Sequence, residues 1–312
     1  MNLTVIGHLC KDELHFSNGD VREQFGGILY SVLTLAKLIG TEGTVRPVFG
    51  VGAAEHEELM NLLARFPNVD TSSIFKFKGP TNRALLFYHD DRKTKTVCSK
   101  DIADPIPFSN IKPTLDCDGL FVNMVSGFDI SLETLDFIRM ETREKRIPIH
   151  FDFHTLTMGV DSEFKRFRRP LTDWRRWCFM LNSVQMNEEE AAGLTAEKLD
   201  EAGLVDHLMP LMVHAFVITR GDKGATLITQ DIHKHFTRTE IPAYEVQAVA
   251  DTTGCGDVFG ASFLHRFVKS GDAIAAARAG NEHASIRAAL PTLEDFLRTD
   301  FSSPPRATVS AA

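Results

Sequence analysis

Short, unbroken apolar runs alternate along this chain with longer segments whose apolar positions recur at helical spacing. Leu3 to Ile6, Val45 to Val51, Leu120 to Val125, Ile147 to Phe151, Cys178 to Leu181 and Phe216 to Thr219 read as strands. Between them lie helical patterns: Ile28 to Ile39, entered through Gly26-Gly27 and closed by Gly40, then Glu55 to Arg65 and Ser131 to Arg146. Val258 to Lys269 and Ala273 to Leu290 complete the series, split by Gly271-Asp272 with Asp272 placed to cap the second helix. A strand buried on both faces is apolar throughout, whereas an amphipathic helix shows one apolar stripe. The alternation therefore predicts an α/β fold, a Rossmann-like and mostly parallel sheet with helices on both faces.

Two segments depart from this rhythm. Residues 11–25 and about 75–100 carry polar, alternating runs with turn residues, including Ser17-Asn18-Gly19-Asp20 and Gly79-Pro80. Arg83 to Tyr88 followed by Thr94 to Val97 predicts a hairpin turning at Asp90-Asp91-Arg92, and both segments together predict a small β-sheet outside the main body. Ala225 to Thr229 and His233 to Phe236 predict a further hairpin. One domain over residues 1–300 accounts for the chain, and residues 301–312, with no core pattern, read as a mobile tail.

Composition narrows the class. At 312 residues, with 43% hydrophobic and 24% charged residues, the chain has ordinary globular proportions. A net charge of −8 argues against a nucleic-acid or anionic-membrane partner, since both call for a basic face. The five cysteines show no Cys-x-x-Cys spacing, so neither a disulfide framework nor a zinc site is suggested and a reducing, cytoplasmic setting is expected. No apolar stretch reaches a membrane span, and Met1 to Gly7 reads as a first strand rather than a signal peptide.

The densest chemistry lies in Asp251-Thr252-Thr253-Gly254-Cys255-Gly256-Asp257. Gly254 and Gly256 let the backbone curl so that successive N–H groups point at one spot, and the apolar helix from Val258 begins directly after them. Orphan amides and the helix dipole favour an anion there, and Asp257 adds a carboxylate beside it. An anion cradle next to a base suggests phosphoryl transfer to a hydroxyl. A dinucleotide turn also uses Gly-x-Gly, and Gly254, Gly256 and Gly260 fit a spaced variant, but that turn opens a first strand–helix unit rather than one after residue 250. Asn187 and Glu190 lie one turn apart on a short helix, on one face, as a solvated acidic helix start or as a holder of hydrated Mg²⁺. Thr219 to Gly224 closes a strand with a glycine-rich turn. His233 and His235 share a strand face without a third ligand, so a metal site is not supported.

The seven-residue string resembles the second signature of the ribokinase-like (PfkB) carbohydrate kinases, Asp-Thr-x-Gly-Ala-Gly-Asp, with Cys255 in the alanine's place. Asn187 and Glu190 match the family's Asn-x-x-Glu motif, and Thr219, Arg220, Gly221 and Gly224 its Thr-x-Gly-x-x-Gly segment. The resemblance implies that Asp257 deprotonates the acceptor hydroxyl and that the amides from Gly254 through Cys255 and Gly256 to Asp257 hold the transferring phosphoryl group. It implies ATP against Thr219, Arg220, Gly221 and Gly224, with Asn281 near the adenine, Mg²⁺ held through water by Glu190 and Asn187, and a K⁺ site near Asp251. Asp12, Gly26 and Gly27 match its sugar-binding aspartate and double glycine, and the small sheet is its lid. The free edges of an exposed lid sheet make it a candidate homodimer surface.

Elsewhere the chain departs from the family pattern. Ser31 stands where an asparagine is usual, Val51-Gly52-Ala53-Ala54-Glu55 lacks an aspartate, and Asp152-Phe153-His154-Thr155-Leu156 keeps only Asp152 of Asp-x-Asn-x-Arg. The expectation is an ATP-dependent kinase acting on a hydroxymethyl group of a sugar or sugar-like compound. A nucleoside kinase of the same fold and a non-catalytic sugar- or nucleotide-binding scaffold stay open beside it.

Overall fold

The computed structural model describes residues 1–88, 95–231, 233–246 and 248–301. The chain opens on β1 (Asn2–Ile6), leaves for a hairpin of β2 (Leu9–His15) and β3 (Val21–Gly27), and returns through the helix Ile28–Ile39 to β4 (Thr44–Gly52) and β5 (Ile74–Phe77). A second excursion of β6 (Asn82–Tyr88) and β7 (Lys95–Lys100) precedes β8 (Gly119–Asn123), the helix Leu132–Lys145 and β9 (Ile149–Asp152). A small hairpin of β10 (Met158–Val160) and β11 (Arg166–Arg168) follows, then β12 (Ser183–Asn187), β13 (Ala215–Thr219), β14 (Ala225–Gln230) and β15 (Phe236–Ile241). Two long helices, Cys255–Ser270 and Ala273–Ala288, complete the body.

The main sheet has nine strands in the order β15-β14-β13-β12-β9-β8-β1-β4-β5. Strands from β5 to β13 run parallel, and β14 and β15 add an antiparallel edge. Both faces are covered, as the unbroken apolar runs require. Phe216 and Ile218 enter the large core cluster, while the alternate positions Ala215 and Val217 pack with Phe259, Phe263 and Ala276 of the closing helices. Close approach is needed at Gly260, where a Cβ would come within 2.6 Å of the Phe121 ring.

The excursions form a separate four-stranded sheet in the order β3-β2-β6-β7, with β2 parallel to β6. The lid thus begins at Leu9 and takes in β6 and β7, whereas β5 extends the main sheet. Residues 89–94, the expected turn of that hairpin, and the tail beyond 301 lie outside the described residues.

Two expected strands are corrected. Cys178 closes the helix Trp174–Cys178, and the strand before Asn187 is β12, whose polar Gln185 interrupts the apolar pattern. His233 and His235 lie in the turn before β15, where their amides donate to Asp231 at 2.8 Å each. Asp272 caps its helix through the amides of Ile274 and Ala275.

Candidate active site

Parallel strands present their carboxyl ends along one edge, where open α/β sheets bind ligands. Here β8 ends on Asn123, β9 on Asp152, β12 on Asn187 and β13 on Thr219. Register sets Asn123 opposite Asp152, Asp152 opposite Gln185, and Asn187 opposite Thr219. The chain leaves its sheet at polar residues, which the register sets side by side along one edge.

Beside that edge the helix Cys255–Ser270 begins at Gly254, in the left-handed region with φ 82°. A side chain there would meet the Tyr30 ring at 2.5 Å, so both conformation and packing call for glycine. Among the described residues no side chain caps this helix at Gly254, and the Cys255 amide donates to the Thr252 carbonyl at 3.3 Å within the turn. Above Gly256 a Cβ would find nothing nearer than Gln185 Nε2 at 3.9 Å, so protein packing does not demand this glycine and the space over the turn is open. Cys255, a small partly buried residue, fits the turn without crowding it. Asp257 is buried at 4% exposure, and its Oδ1 accepts from Asn123 Nδ2 at 2.7 Å. Gln185 Nε2 ties the Gly256 carbonyl, at 3.0 Å, to Asp152 Oδ2, at 2.9 Å.

Asn187 and Glu190 form a reciprocal capping box. The Glu190 amide donates to Asn187 Oδ1 at 2.8 Å, the Asn187 amide to Glu190 Oε2 at 2.8 Å, and Asn187 Nδ2 to Glu190 Oε1 at 2.6 Å. Burial pushes the Glu190 carboxyl up to about 7. Burial, with the charges of Glu190 and Asp257, pushes Asp152 well above the carboxylate range. A divalent cation nearby would relieve the repulsion at Asp152, but among the described residues no group of three or more His, Cys, Asp or Glu side chains could hold one directly, which leaves water to complete its shell.

On the donor side, Gly221 is at φ 59° with open space around it. Gly224 is at φ 90° and packs where a Cβ would strike the Ile241 carbonyl at 2.1 Å, so fold packing accounts for it. Arg220 points away from a phosphate role: its guanidinium pairs with Glu188 and, at 2.6 Å, with Glu201, while Nε donates to Thr226. Asn281 is buried, its Nδ2 donating to the carbonyls of Ile241 and Pro242 at 3.1 Å.

On the acceptor side, Asp12 is buried on the inner face of the lid, against Gly26, whose Cβ would overlap its carboxylate at 1.8 Å. Gly27, at φ 60°, begins the helix that carries Ser31, whose Oγ contacts the Asp257 carbonyl at 3.4 Å. Asp251 is held by the chain itself: Arg287 Nη2 donates to Oδ2 at 2.5 Å, and Tyr88 OH, at 2.8 Å, and the Thr253 amide, at 2.9 Å, donate to Oδ1. Burial would push this carboxyl up, but the guanidinium with those two donors holds it below the usual carboxylate range.

Asn123, Gln185, Tyr88 and Arg287 were passed over in the sequence. A polar residue closing an apolar strand run would have marked Asn123. The others sit in β12, in a lid strand and in a helix, with no local signature.

A pfkB family carbohydrate kinase profile matches residues 171–293. The chain is 27% identical over 290 residues to a cytidine kinase of Thermococcus kodakarensis, covering 91% of this chain and 95% of that protein. The fold is similar to that of a Burkholderia thailandensis nucleoside kinase solved with inosine, with TM-score 0.71, 18% identity and coverage of 98% and 100%. It is also similar to a ribokinase from Giardia lamblia, with TM-score 0.74, 16% identity and 98% of each chain covered. The matched stretch, residues 171–293, holds both the Asn187–Glu190 box and the Asp251–Asp257 turn, so this part of the chain is similar to the pfkB carbohydrate kinases, and the chain as a whole shares the fold of the ribokinase-like structures.

Proposed function

We propose that this kinase transfers the γ-phosphoryl group of ATP to a hydroxymethyl group of a sugar or sugar-like acceptor, with Asp257 as the base. The observation that carries this reading is the buried Asp257 carboxylate, oriented by Asn123 at 2.7 Å, in the first turn of a helix with no side-chain cap among the described residues. The amides from Gly254 to Asp257 face developing charge on the phosphoryl oxygens, and Gly256 leaves room for it. Asn187 and Glu190, with Asp152 behind them, would hold Mg²⁺ largely through water, and the ion would neutralise phosphate charge. Thr219 and Gly221 border the nucleotide phosphates in this reading, and Asn281 helps shape the adenine end by fixing the β15 backbone.

Asp257→Asn should lower kcat at least about 10²-fold while leaving the KM for ATP within twofold. Near-normal turnover in that variant would remove Asp257 from the role of base.

A nucleoside acceptor is the second reading, supported by likeness to a cytidine kinase along most of the chain and by Ser31 in the position where sugar kinases carry asparagine. Turnover across a panel of sugars and nucleosides separates the two, and tight binding without any turnover would point to a scaffold. The outer lid face, with Val21 57% and Phe87 38% exposed, is our candidate for a homodimer contact, checked by analytical ultracentrifugation.

A further inference from the structure

Beside the lid edge stands a partly buried arginine, Arg166, with one buried donor unused among the described residues. Arg166 opens β11, and its Nε donates to Ser99 Oγ of the lid at 2.8 Å. The Ser99 amide donates to the Phe164 carbonyl at 2.8 Å, and Cys98 bridges Lys165, so the small hairpin is stitched to the lid edge. Nη1 of Arg166 is buried and has no partner among the described residues. The nearby Asp129 does not supply one, because its carboxylate is taken by the His8 amide, the Ser126 amide and hydroxyl, and the Gly127 amide.

Strand register places this cation relative to Asp12. Asp12 pairs with Ala84, and Ala84 with Ser99, so the three lie in one row across the lid. Two strand spacings, about 10 Å, separate the row's ends, with only a small alanine side chain between. One end is an anionic acceptor of hydrogen bonds, and the other is anchored to a guanidinium.

Two more buried atoms without a partner among the described residues are His8 Nε2 and Asn123 Oδ1. The Ser126 hydroxyl donates to Asp129, so it accepts from His8 Nδ1 at 2.8 Å. That tautomer, assigned from the network, leaves Nε2 with a lone pair. Asp12, His8 and Asn123 therefore all accept, which suits hydroxyl groups, whereas Arg166 donates and carries charge. A neutral polyol would meet the first set and leave Arg166 Nη1, a buried donor, without an acceptor among the described residues.

We propose that the acceptor is a polyhydroxy carboxylate, its hydroxyls read by Asp12, His8 and Asn123 and its carboxylate by Arg166. The inference rests on the kinase reading for the reaction but not for the binding. Calorimetry on the full chain with a non-hydrolysable ATP analogue and Mg²⁺ tests it, using gluconate and ribonate against glucose, ribose and cytidine.

The aldonates should bind more tightly than their neutral counterparts. Arg166→Gln should weaken them by about 10- to 100-fold, and Arg166→Lys by less, with the KM for ATP unmoved. Should Arg166→Gln melt abnormally, Ser99→Ala replaces it, since losing the Nε anchor should also erode the preference. Tighter binding of a sugar or nucleoside, or an unchanged preference in all three variants, overturns the proposal. Arg166-dependent aldonate binding without phosphoryl transfer supports it and sinks the kinase reading instead.

Discussion

Arg287 is fully buried, and its ion pair with Asp251 sits directly beneath the turn that leads to Asp257. A guanidinium there supplies the positive charge that a monovalent cation would otherwise bring, and the Asp251 oxygens already accept from three groups. We therefore expect turnover to change less than about twofold when tetramethylammonium replaces K⁺, because a buried pair at this distance leaves little uncompensated charge. Strong K⁺ activation in steady-state assays would contradict that assignment. His150 makes a second prediction at this scale. Burial pushes its imidazole down to about 4, and the neutral ring bonds Ser183 and Gln185 while stacking on Phe263. Because the folded state holds the proton more weakly than the unfolded chain, its contribution is present above about 6.5 and is lost as pH falls through about 4. His265 and His283 act in the same direction, so the informative quantity is a difference. His150→Phe should be less stable than the parent at pH 7, and thermal melts should show the gap narrowing between pH 6.5 and 4, by up to roughly 3 kcal/mol.

Tyr88, at the end of β6, joins the lid to the Asp251–Asp257 turn. Tyr88 OH donates to Asp251 and shares a 2.7 Å hydrogen bond with the Thr253 hydroxyl, so lid and turn are fastened together in this state. Tyr88→Phe keeps the ring packing but releases the fastening. It should raise the ratio of ATP hydrolysis to acceptor phosphorylation by about tenfold, as water gains access. An unchanged ratio in a coupled assay would show that the contact is only packing. Most elements were legible because their patterns are local: the apolar runs Leu3 to Ile6 and Phe216 to Thr219 lie in strands and Asp272 announces a helix start, although the apolar run from Cys178 to Leu181 closes a helix instead. The exceptions were also physical. In β12, Gln185 and Ser183 turn inward to bond Asp152 and His150, which breaks the apolar run that would have marked the strand. The candidate site divides the same way. Asp257, Asn187 and Glu190 stand in contiguous motifs, whereas Asn123 and Arg287 reach it only through the fold.

At the scale of the molecule, the α/β alternation was readable apart from the stretch around β12, but the composition of the lid was not. Alternating polar runs say that a strand is amphipathic, not which partner it takes. The finished lid joins two hairpins through the parallel pairing of β2 with β6, strands separated by the whole of the first βα unit and by β4 and β5. That central seam closes a long loop, and neither hairpin has a second sheet to bury its face until the body exists. The lid should accordingly be the last part of the chain to assemble and the first to come apart, late in folding and early in local opening. Substrate entry and the onset of unfolding would then begin along the same seam, giving this kinase an access route that is also its point of least kinetic resistance.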